Sequence, residues 1–94
     1  MTYLVNTAWK HPNPIDWDWM QKAMDEAMSK ADPNCSVQWF EIDEMTHGSV
    51  ATFPSKEVFE SMRARRESHR KEANDEGIKM IYEVVGHVKA EGSS

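Results

Sequence analysis

The chain has 94 residues, which is enough for one small domain. Its composition is 39% hydrophobic and 29% charged, with 4 glycines and 4 prolines, and this excludes collagen-like, low-complexity and disordered chains. The 11 Lys and Arg against 16 Asp and Glu give a net charge of −5, so we expect no nucleic-acid partner.

The single cysteine, Cys35, excludes an intrachain disulfide and favours a reduced, cytoplasmic location. The first residues lack a basic segment followed by an apolar one, so we expect no signal peptide. No apolar run approaches the roughly 18 residues that a membrane span requires, and we expect no membrane partner.

The first half of the chain predicts a strand followed by a helix. Residues 3–10 alternate with period two, as in a strand. Asn13 and Pro14 are typical of an N-cap and a first helical position, which predicts a helix over 14–31. Apolar residues recur at helical spacing along it: Trp17, Met20, Met24, Ala27, Met28 and Ala31.

The second half predicts two more strands, a helix and a last strand. Residues 37–42 and 48–53 are predicted strands, joined by a polar hairpin connection over 43–48. Ser55 is a predicted N-cap, and Gly77 a helix stop. A final strand over 78–88 contains Gly86, which suggests a bulge or a close backbone approach. We expect one domain over 1–90 and a frayed tail over 91–94.

The element order β-α-β-β-α-β predicts an α+β, ferredoxin-like fold: a four-stranded antiparallel sheet with two helices on one face. Both faces of the predicted last strand carry apolar side chains. Tyr82 and Val84 lie on one face, and Ile81 and Val85 lie on the other. Two helices cover one face only. We therefore expect a second copy of the chain to cover the other.

The element order and the segments 40–43 (FEID) and 48–59 (GSVATFPSKEVF) resemble the dimeric α+β barrel group of the ferredoxin-like folds. Within that group the chain is most similar to small uncharacterised members from marine environmental sequences. The resemblance implies two sheets packed face to face across a two-fold axis. The group also includes antibiotic-biosynthesis-type monooxygenases, haem-degrading enzymes, stress-responsive proteins and chlorite-dismutase relatives, so it selects no function.

The haem-degrading members use an Asn on the first strand, a Trp on the second helix and a His further along that helix. Asn6 and His69 match the first and third positions. Met62 stands where the Trp would fall, and its spacing to His69 is shorter than the family's. We therefore expect no haem, and no other cofactor.

His69 and Asn6 are the candidate catalytic residues, as polar members of a pocket between the second helix and the sheet. An imidazole at the position of His69 could be a general base near neutral pH. The alternative is a partly exposed helix histidine, or one at the dimer boundary. Asn6 is the one amide of an otherwise apolar strand and needs partners if it is buried.

The predicted ligand-binding residues are Trp9, Trp39, Met62, Arg65 and Tyr82. The aromatic side chains suit the lining of a cavity, with core packing as the alternative. Arg65 could reach a ligand carboxylate, with a solvated helix face as the alternative.

No pair of the four histidines has local metal-ligand spacing, so we expect no metal. A nonlocal site such as His11 with Asp43 stays open. Glu41 and Asp43 lie on the same side of the second strand, where they are either an acid/base pair or simply solvated.

Two functions fit these features. The first is a homodimeric protein that binds a small apolar or aromatic ligand between helices and sheet. The alternative is a cofactor-independent enzyme of monooxygenase or isomerase type, acting on a small organic molecule.

Overall fold

A computed structural model describes residues 2–93, in which a four-stranded antiparallel sheet carries helices on one face. The elements in chain order are β1 Tyr3–Lys10, α1 Trp17–Ser29, β2 Ser36–Asp43, β3 Thr46–Phe53, α2 Lys56–Ser61, α3 Arg63–Asp75 and β4 Lys79–His87. The strand order is β2-β3-β1-β4. The predicted fold class is therefore confirmed. Residues 91–93 of the expected tail have no helix or strand, and Ser94 lies outside the described residues.

The first helix begins three residues later than Asn13 and Pro14 predict. Asp16 is its N-cap, and its side chain accepts hydrogen bonds of 3.1 Å from the backbone N–H groups of Asp18 and Trp19. The backbone N–H of Ile15 donates to the carbonyl of Glu44 at 2.9 Å. This bond ties the segment before Asp16 to the β2–β3 hairpin, and the helix begins after that segment.

The second helix is divided at Met62, whereas the sequence predicts one continuous helix. Met62 has φ −100° and ψ 12°, and its N–H donates to the carbonyl of Phe59, three residues back. The Arg66 guanidinium donates to the same carbonyl and lies 3.6 Å from the centroid of the Phe59 ring. Arg66 thereby stabilises the break. The predicted N-cap Ser55 is confirmed, since its hydroxyl accepts from Val58 N–H at 3.2 Å.

The β2–β3 hairpin is tighter than predicted. Strand β3 begins at Thr46, so the connection shortens to Glu44 and Met45. The Asp43 side chain accepts from the Met45 N–H at 2.9 Å and closes the turn. As a result His47, assigned by the sequence to the connection, is a strand residue paired with Trp9.

Strand β4 carries its irregularity at Ile81 rather than at Gly86. Ala8 pairs with Tyr82 and Trp9 with Met80, so Ile81 is the extra residue of a bulge. Gly86 pairs in regular register with Leu4, and a Cβ there would meet nothing within 4 Å. The prediction of a bulge or close approach at Gly86 was therefore wrong. Gly77, with φ +83°, lies just after the helix as predicted.

The core lies between the sheet and the helices. Tyr3 and Val5 of β1 and Phe53 of β3 pack with Phe59 of α2 in one buried cluster. The Tyr3 and Phe59 ring centroids are 5.0 Å apart, and those of Phe53 and Phe59 are 5.3 Å apart. These contacts identify the helix-covered face of the sheet.

We call the other side of the sheet the open face. It includes Leu4, Asn6, Ala8, Phe40, Gly48, Val50, Tyr82 and Val84, by the pairing of the strands. Phe40, Tyr82 and Val84 are 44%, 44% and 58% exposed. Strand β4 is exposed on both faces, as an edge strand.

No helix within residues 2–93 is long and apolar enough to cross a membrane. The cytoplasmic location stays a prediction.

Candidate functional site

Two buried histidines form a direct hydrogen bond on the helix-covered face. Nε2 of His11 lies 2.7 Å from Nδ1 of His47. Their side chains are brought together because His47 is paired with Trp9 across β1 and β3, and His11 follows two residues after Trp9. The His11 N–H donates to the carbonyl of Met45 at 2.7 Å, which fixes the end of β1 against the hairpin. We call His11 and His47 the histidine pair.

Three tryptophans surround His47, and we call them the tryptophan cage: Trp9, Trp17 and Trp39. The Trp9 ring is stacked on His47 with centroids 6.5 Å apart and planes 9° apart. The Trp39 ring lies at 5.5 Å and the Trp17 ring at 6.5 Å, the latter edge-on. The Trp9 indole N–H donates to the hydroxyl of Thr7 at 2.9 Å, which holds the stacked ring in place. The three tryptophans of the cage come from three elements: Trp9 from β1, Trp17 from α1 and Trp39 from β2.

Burial makes the histidine pair neutral at ordinary pH. The side chain of His47 is almost fully enclosed, and desolvation, with the nearby His11 as a smaller cause, lowers its pKa to about 4. Desolvation also lowers the pKa of His11, while the charge of Glu76 acts in the opposite direction. Two neutral imidazoles can share one N–H between the facing nitrogens, so the short contact is a favourable hydrogen bond.

Two clefts flank this cluster. The first, which we call the α1–β2 cleft, has a volume of about 320 Å³ and is lined by Trp17, Met20, Gln21, Met24, Val37, Gln38 and Trp39. The second, the loop cleft, measures about 360 Å³ and is lined by residues 11–16 with Trp19, Met20, Glu76 and Ile78. Two cage tryptophans wall the first cleft, and His11 lines the second. His47 itself lines neither cleft, since it lies behind the tryptophans of the cage.

Trp9 and Trp39, both predicted as ligand-binding residues, come together around His47. Tyr82 does not join them, because it lies on the open face opposite Ala8. Met62 lies at the break between α2 and α3, where the Cys35 thiol approaches its sulfur at 3.9 Å. Tyr82 and Met62 therefore lie outside the cluster of rings around His47.

Arg65 is engaged by the backbone of α1. Its guanidinium donates to the carbonyl of Ala27 at 3.0 Å and to the carbonyl of Lys30. These are carbonyls of the helix C-terminus, which has no basic residue of its own in its last turn. In this structure Arg65 acts as a cap supplied by α3.

The structure does not bring the candidate catalytic residues Asn6 and His69 to one face. Asn6 belongs to the open face, where its amide donates to the carbonyl of Ser49 at 3.0 Å. His69 is exposed on α3, which packs on the opposite side of the sheet through Arg70 and Glu83.

Glu41 and Asp43 are both exposed. The Met45 backbone N–H and then the Thr46 side chain lower the pKa of the Asp43 carboxyl by hydrogen bonding, as expected for a turn-closing aspartate. His11 pairs with His47 and not with Asp43. Over residues 2–93, no three His, Cys, Asp or Glu side chains gather as a metal-ligand set.

The sequence pattern does not predict the histidine pair, because it places His47 in the hairpin connection and not in a strand. A signal existed: His47, Ser49, Ala51 and Phe53 share one alternation of a longer strand. That alternation faces the core, since Phe53 is buried. Extending the strand by two residues would have placed His47 beside the tryptophans.

The chain has the ferredoxin-like fold, as a comparison with solved structures shows. It superimposes on a protein from an uncultured marine organism that is described as a dimeric ferredoxin-like protein, with a TM-score of 0.62 and 14% sequence identity. The match covers 97% of this chain and 98% of that one. No protein-family model and no curated protein matches the chain.

Proposed function

We propose that the chain is a homodimeric α+β barrel protein that binds a small aromatic molecule in the α1–β2 cleft of each protomer. The observation that carries the ligand is the pair of tryptophans, Trp17 and Trp39, that wall a cleft of about 320 Å³. Ligand pockets in proteins begin at roughly 300 Å³ and are mostly apolar and aromatic, so a cleft of this size suits a ligand of one or two rings.

The cleft offers a ligand both apolar surface and hydrogen bonding. Met20, Met24 and Val37 supply apolar contacts, and methionine side chains adapt to ligand shape. Gln21 and Gln38 supply amide donors and acceptors at the lining.

Dimerisation is supported by the apolar side chains that the helices leave uncovered. Phe40, Tyr82 and Val84 form an exposed apolar patch on the open face. On the other side of β4, Ile81 is 56% and Val85 49% exposed. An apolar edge strand invites pairing with another chain, and the structural neighbour is described as dimeric. We therefore propose that a second copy of this chain covers the open face.

Sedimentation of the intact chain at micromolar concentration tests the dimer. We expect twice the 10.9 kDa mass of one chain, and a folded species of 10.9 kDa would overturn this part of the proposal. The variant Val84→Lys should sediment as a folded monomer, because it places a charge among the exposed apolar side chains of the open face. Ala64→Lys, at an exposed position of α3, is the control and should stay dimeric.

Calorimetric titration with naphthalene tests the cleft. We expect saturable binding that Val37→Phe abolishes, because the added ring fills the α1–β2 cleft. Ala64→Phe adds the same ring at a remote exposed site and should leave binding unchanged. Absence of binding to the unmodified chain, or binding that survives Val37→Phe, would overturn the ligand proposal.

A second candidate function is a cofactor-independent enzyme of monooxygenase or isomerase type. The observation that favours it is the histidine pair, because a neutral imidazole beside an aromatic cleft could accept a proton from a bound substrate. Oxygen uptake in the presence of 2-naphthol, above the rate without protein and lost in His47→Phe, would support the monooxygenase type.

A further inference from the structure

The loop cleft is a cavity that the proposed function does not use. Its volume of about 360 Å³ lies within the range of small-molecule sites in proteins. Its lining combines the segment 11–16 between β1 and α1, Trp19 and Met20 of α1, and Glu76 and Ile78 between α3 and β4. The segments lie close together, since a Cβ at Gly77 would be 3.3 Å from Cγ of Pro12. The fold therefore brings distant parts of the chain together around this cleft.

The lining of the loop cleft is negatively charged. Two carboxylates line it, those of Asp16 and Glu76, and among residues 2–93 the lining contains neither lysine nor arginine. Burial lowers the pKa of His11, which also lines the cleft, so this imidazole adds no charge at neutral pH. The Glu76 carboxylate forms no hydrogen bond or ion pair with any side chain of residues 2–93. It is therefore available to a cation.

The two helix ends beside the cleft favour the same sign of ligand charge. Glu76 is the C-cap of α3, which has no basic residue in its last turn, so the negative end of this helix is not neutralised by its own side chains. The positive end of α1 is occupied, because the Asp16 side chain accepts hydrogen bonds from the N–H groups of Asp18 and Trp19. A cation in the cleft would therefore meet negative surroundings.

The apolar part of the lining favours an organic cation over a metal ion. The Trp19 side chain is 49% exposed, and it lines the cleft together with Ile15, Met20 and Ile78. An indole ring attracts an ammonium group and also packs against an apolar body. Over residues 2–93, no three His, Cys, Asp or Glu side chains gather as a metal-ligand set. The lining therefore suits a molecule that carries one positive charge on an apolar frame.

We propose that the loop cleft is a second binding site, which takes a small primary amine in its ammonium form with an aromatic or apolar body. Glu76 supplies the main counter-charge, Asp16 adds to it, and Trp19 contacts the body of the ligand. The site is separate from the α1–β2 cleft, since Met20 is the one residue common to the two linings.

Two probes of nearly equal shape test the proposal: benzylammonium, which is charged at about pH 7, and benzyl alcohol, which is neutral. Titrations are followed by NMR at the indole N–H of Trp19. We expect a saturable shift with benzylammonium. Benzyl alcohol should bind at least about fivefold more weakly, because only the charged probe gains from the carboxylates.

Three carboxylate-to-amide variants identify the counter-charge. Glu76→Gln should weaken benzylammonium binding at least about threefold and leave benzyl alcohol binding unchanged. Asp16→Asn should also weaken benzylammonium binding, while asparagine keeps the N-cap of α1. Glu67→Gln is the control, because Glu67 is exposed on α3 and does not line the cleft. It makes the same change in net charge and should leave both affinities unchanged.

Several outcomes would overturn the proposal. Equal binding of the two probes, or no saturable shift at Trp19, would exclude a cation site in this cleft. Equal losses in Glu76→Gln and Glu67→Gln would show attraction to the overall negative charge of the chain. Val37→Phe fills the α1–β2 cleft and should leave benzylammonium binding unchanged, so the test does not depend on the proposed function. Loss of benzylammonium binding in Val37→Phe would assign the amine to the other cleft.

Discussion

Nε2 of His11 and Nδ1 of His47 lie 2.7 Å apart, and this contact joins the end of β1 to the start of β3 beneath three indole rings. Both side chains are less than a tenth exposed. Charging either buried imidazole, or leaving its nitrogen without a hydrogen bond, costs free energy, so the pair couples stability to pH and to the identity of both residues.

Stability should fall as the pH is lowered from about 6.5 to about 4. The pKa of His47 drops from its ordinary 6.5 to about 4 on folding. Between these pH values His47 is protonated in the unfolded chain and neutral in the folded chain, so acid favours unfolding. The burial of His11 acts in the same direction. The loss attributable to His47 is on the order of 3 kcal/mol, complete below its folded pKa. Urea denaturation across this range measures it.

The variant His47→Phe should flatten this pH dependence, whereas His69→Gln at an exposed site should not. An unchanged slope in His47→Phe would show that other groups cause the acid sensitivity.

A double-mutant cycle on His11→Phe and His47→Phe should reveal coupling. Each single variant leaves the other histidine with an unpaired buried nitrogen, which costs about 1–3 kcal/mol. The double variant removes both polar groups, so its destabilisation should be smaller than the sum by about 1 kcal/mol. Strict additivity in urea denaturation would mean that the hydrogen bond contributes nothing.

Arg65→Met should destabilise the fold by about 1 kcal/mol, because it removes the two hydrogen bonds that the guanidinium donates to the carbonyls of Ala27 and Lys30 at the end of α1. Arg63→Met is the matched control. Arg63 forms an exposed ion pair with Glu60 at 2.8 Å, and such pairs contribute about 0–1 kcal/mol. Equal thermal midpoints for the two variants would contradict the capping role of Arg65.

Gly48→Ala should disturb the open face. A Cβ at Gly48 would lie 2.2 Å from the Phe40 ring, which covers this glycine, so the ring must swing away from the sheet. We therefore expect the dimer dissociation constant of Gly48→Ala to be higher than that of the unmodified chain. Gly92→Ala is the control, since it meets nothing within 4 Å and lies outside the sheet, and it should leave the dimer unchanged. Equal dimer dissociation constants for the two variants would contradict the packing of Phe40 on Gly48.

The sequence predicts the fold well because its strongest signals are local. The alternation in residues 3–10, the Ser55 cap and the Gly77 stop each depend on neighbouring residues, and all three appear in the structure. The late start of α1 goes with a nonlocal contact, since Glu44 accepts a hydrogen bond from the backbone before the helix. The break at Met62 goes with a local contact that the helical pattern does not show, the hydrogen bond from Arg66 to the carbonyl of Phe59.

The candidate site was harder to predict, since it depends on register. Trp9 and Trp39 were named from their type, but their common neighbour is set by the pairing of Trp9 with His47. A two-residue error in the start of β3 was enough to remove His47 from consideration. Asn6 and His69 are candidates because of their positions in the first strand and the second helix. The sequence does not show on which face of the sheet each one lies, because that depends on how the strands pair.

The response of the indole N–H resonances to naphthalene, read by NMR and assigned with single Trp→Phe variants, tests the α1–β2 cleft most directly. Trp17 and Trp39 wall the α1–β2 cleft, whereas Trp19 lines the loop cleft. We expect saturable shifts of the Trp17 and Trp39 resonances and no shift of the Trp19 resonance. Shifts confined to Trp19, or no saturable shift at any tryptophan, would contradict this expectation.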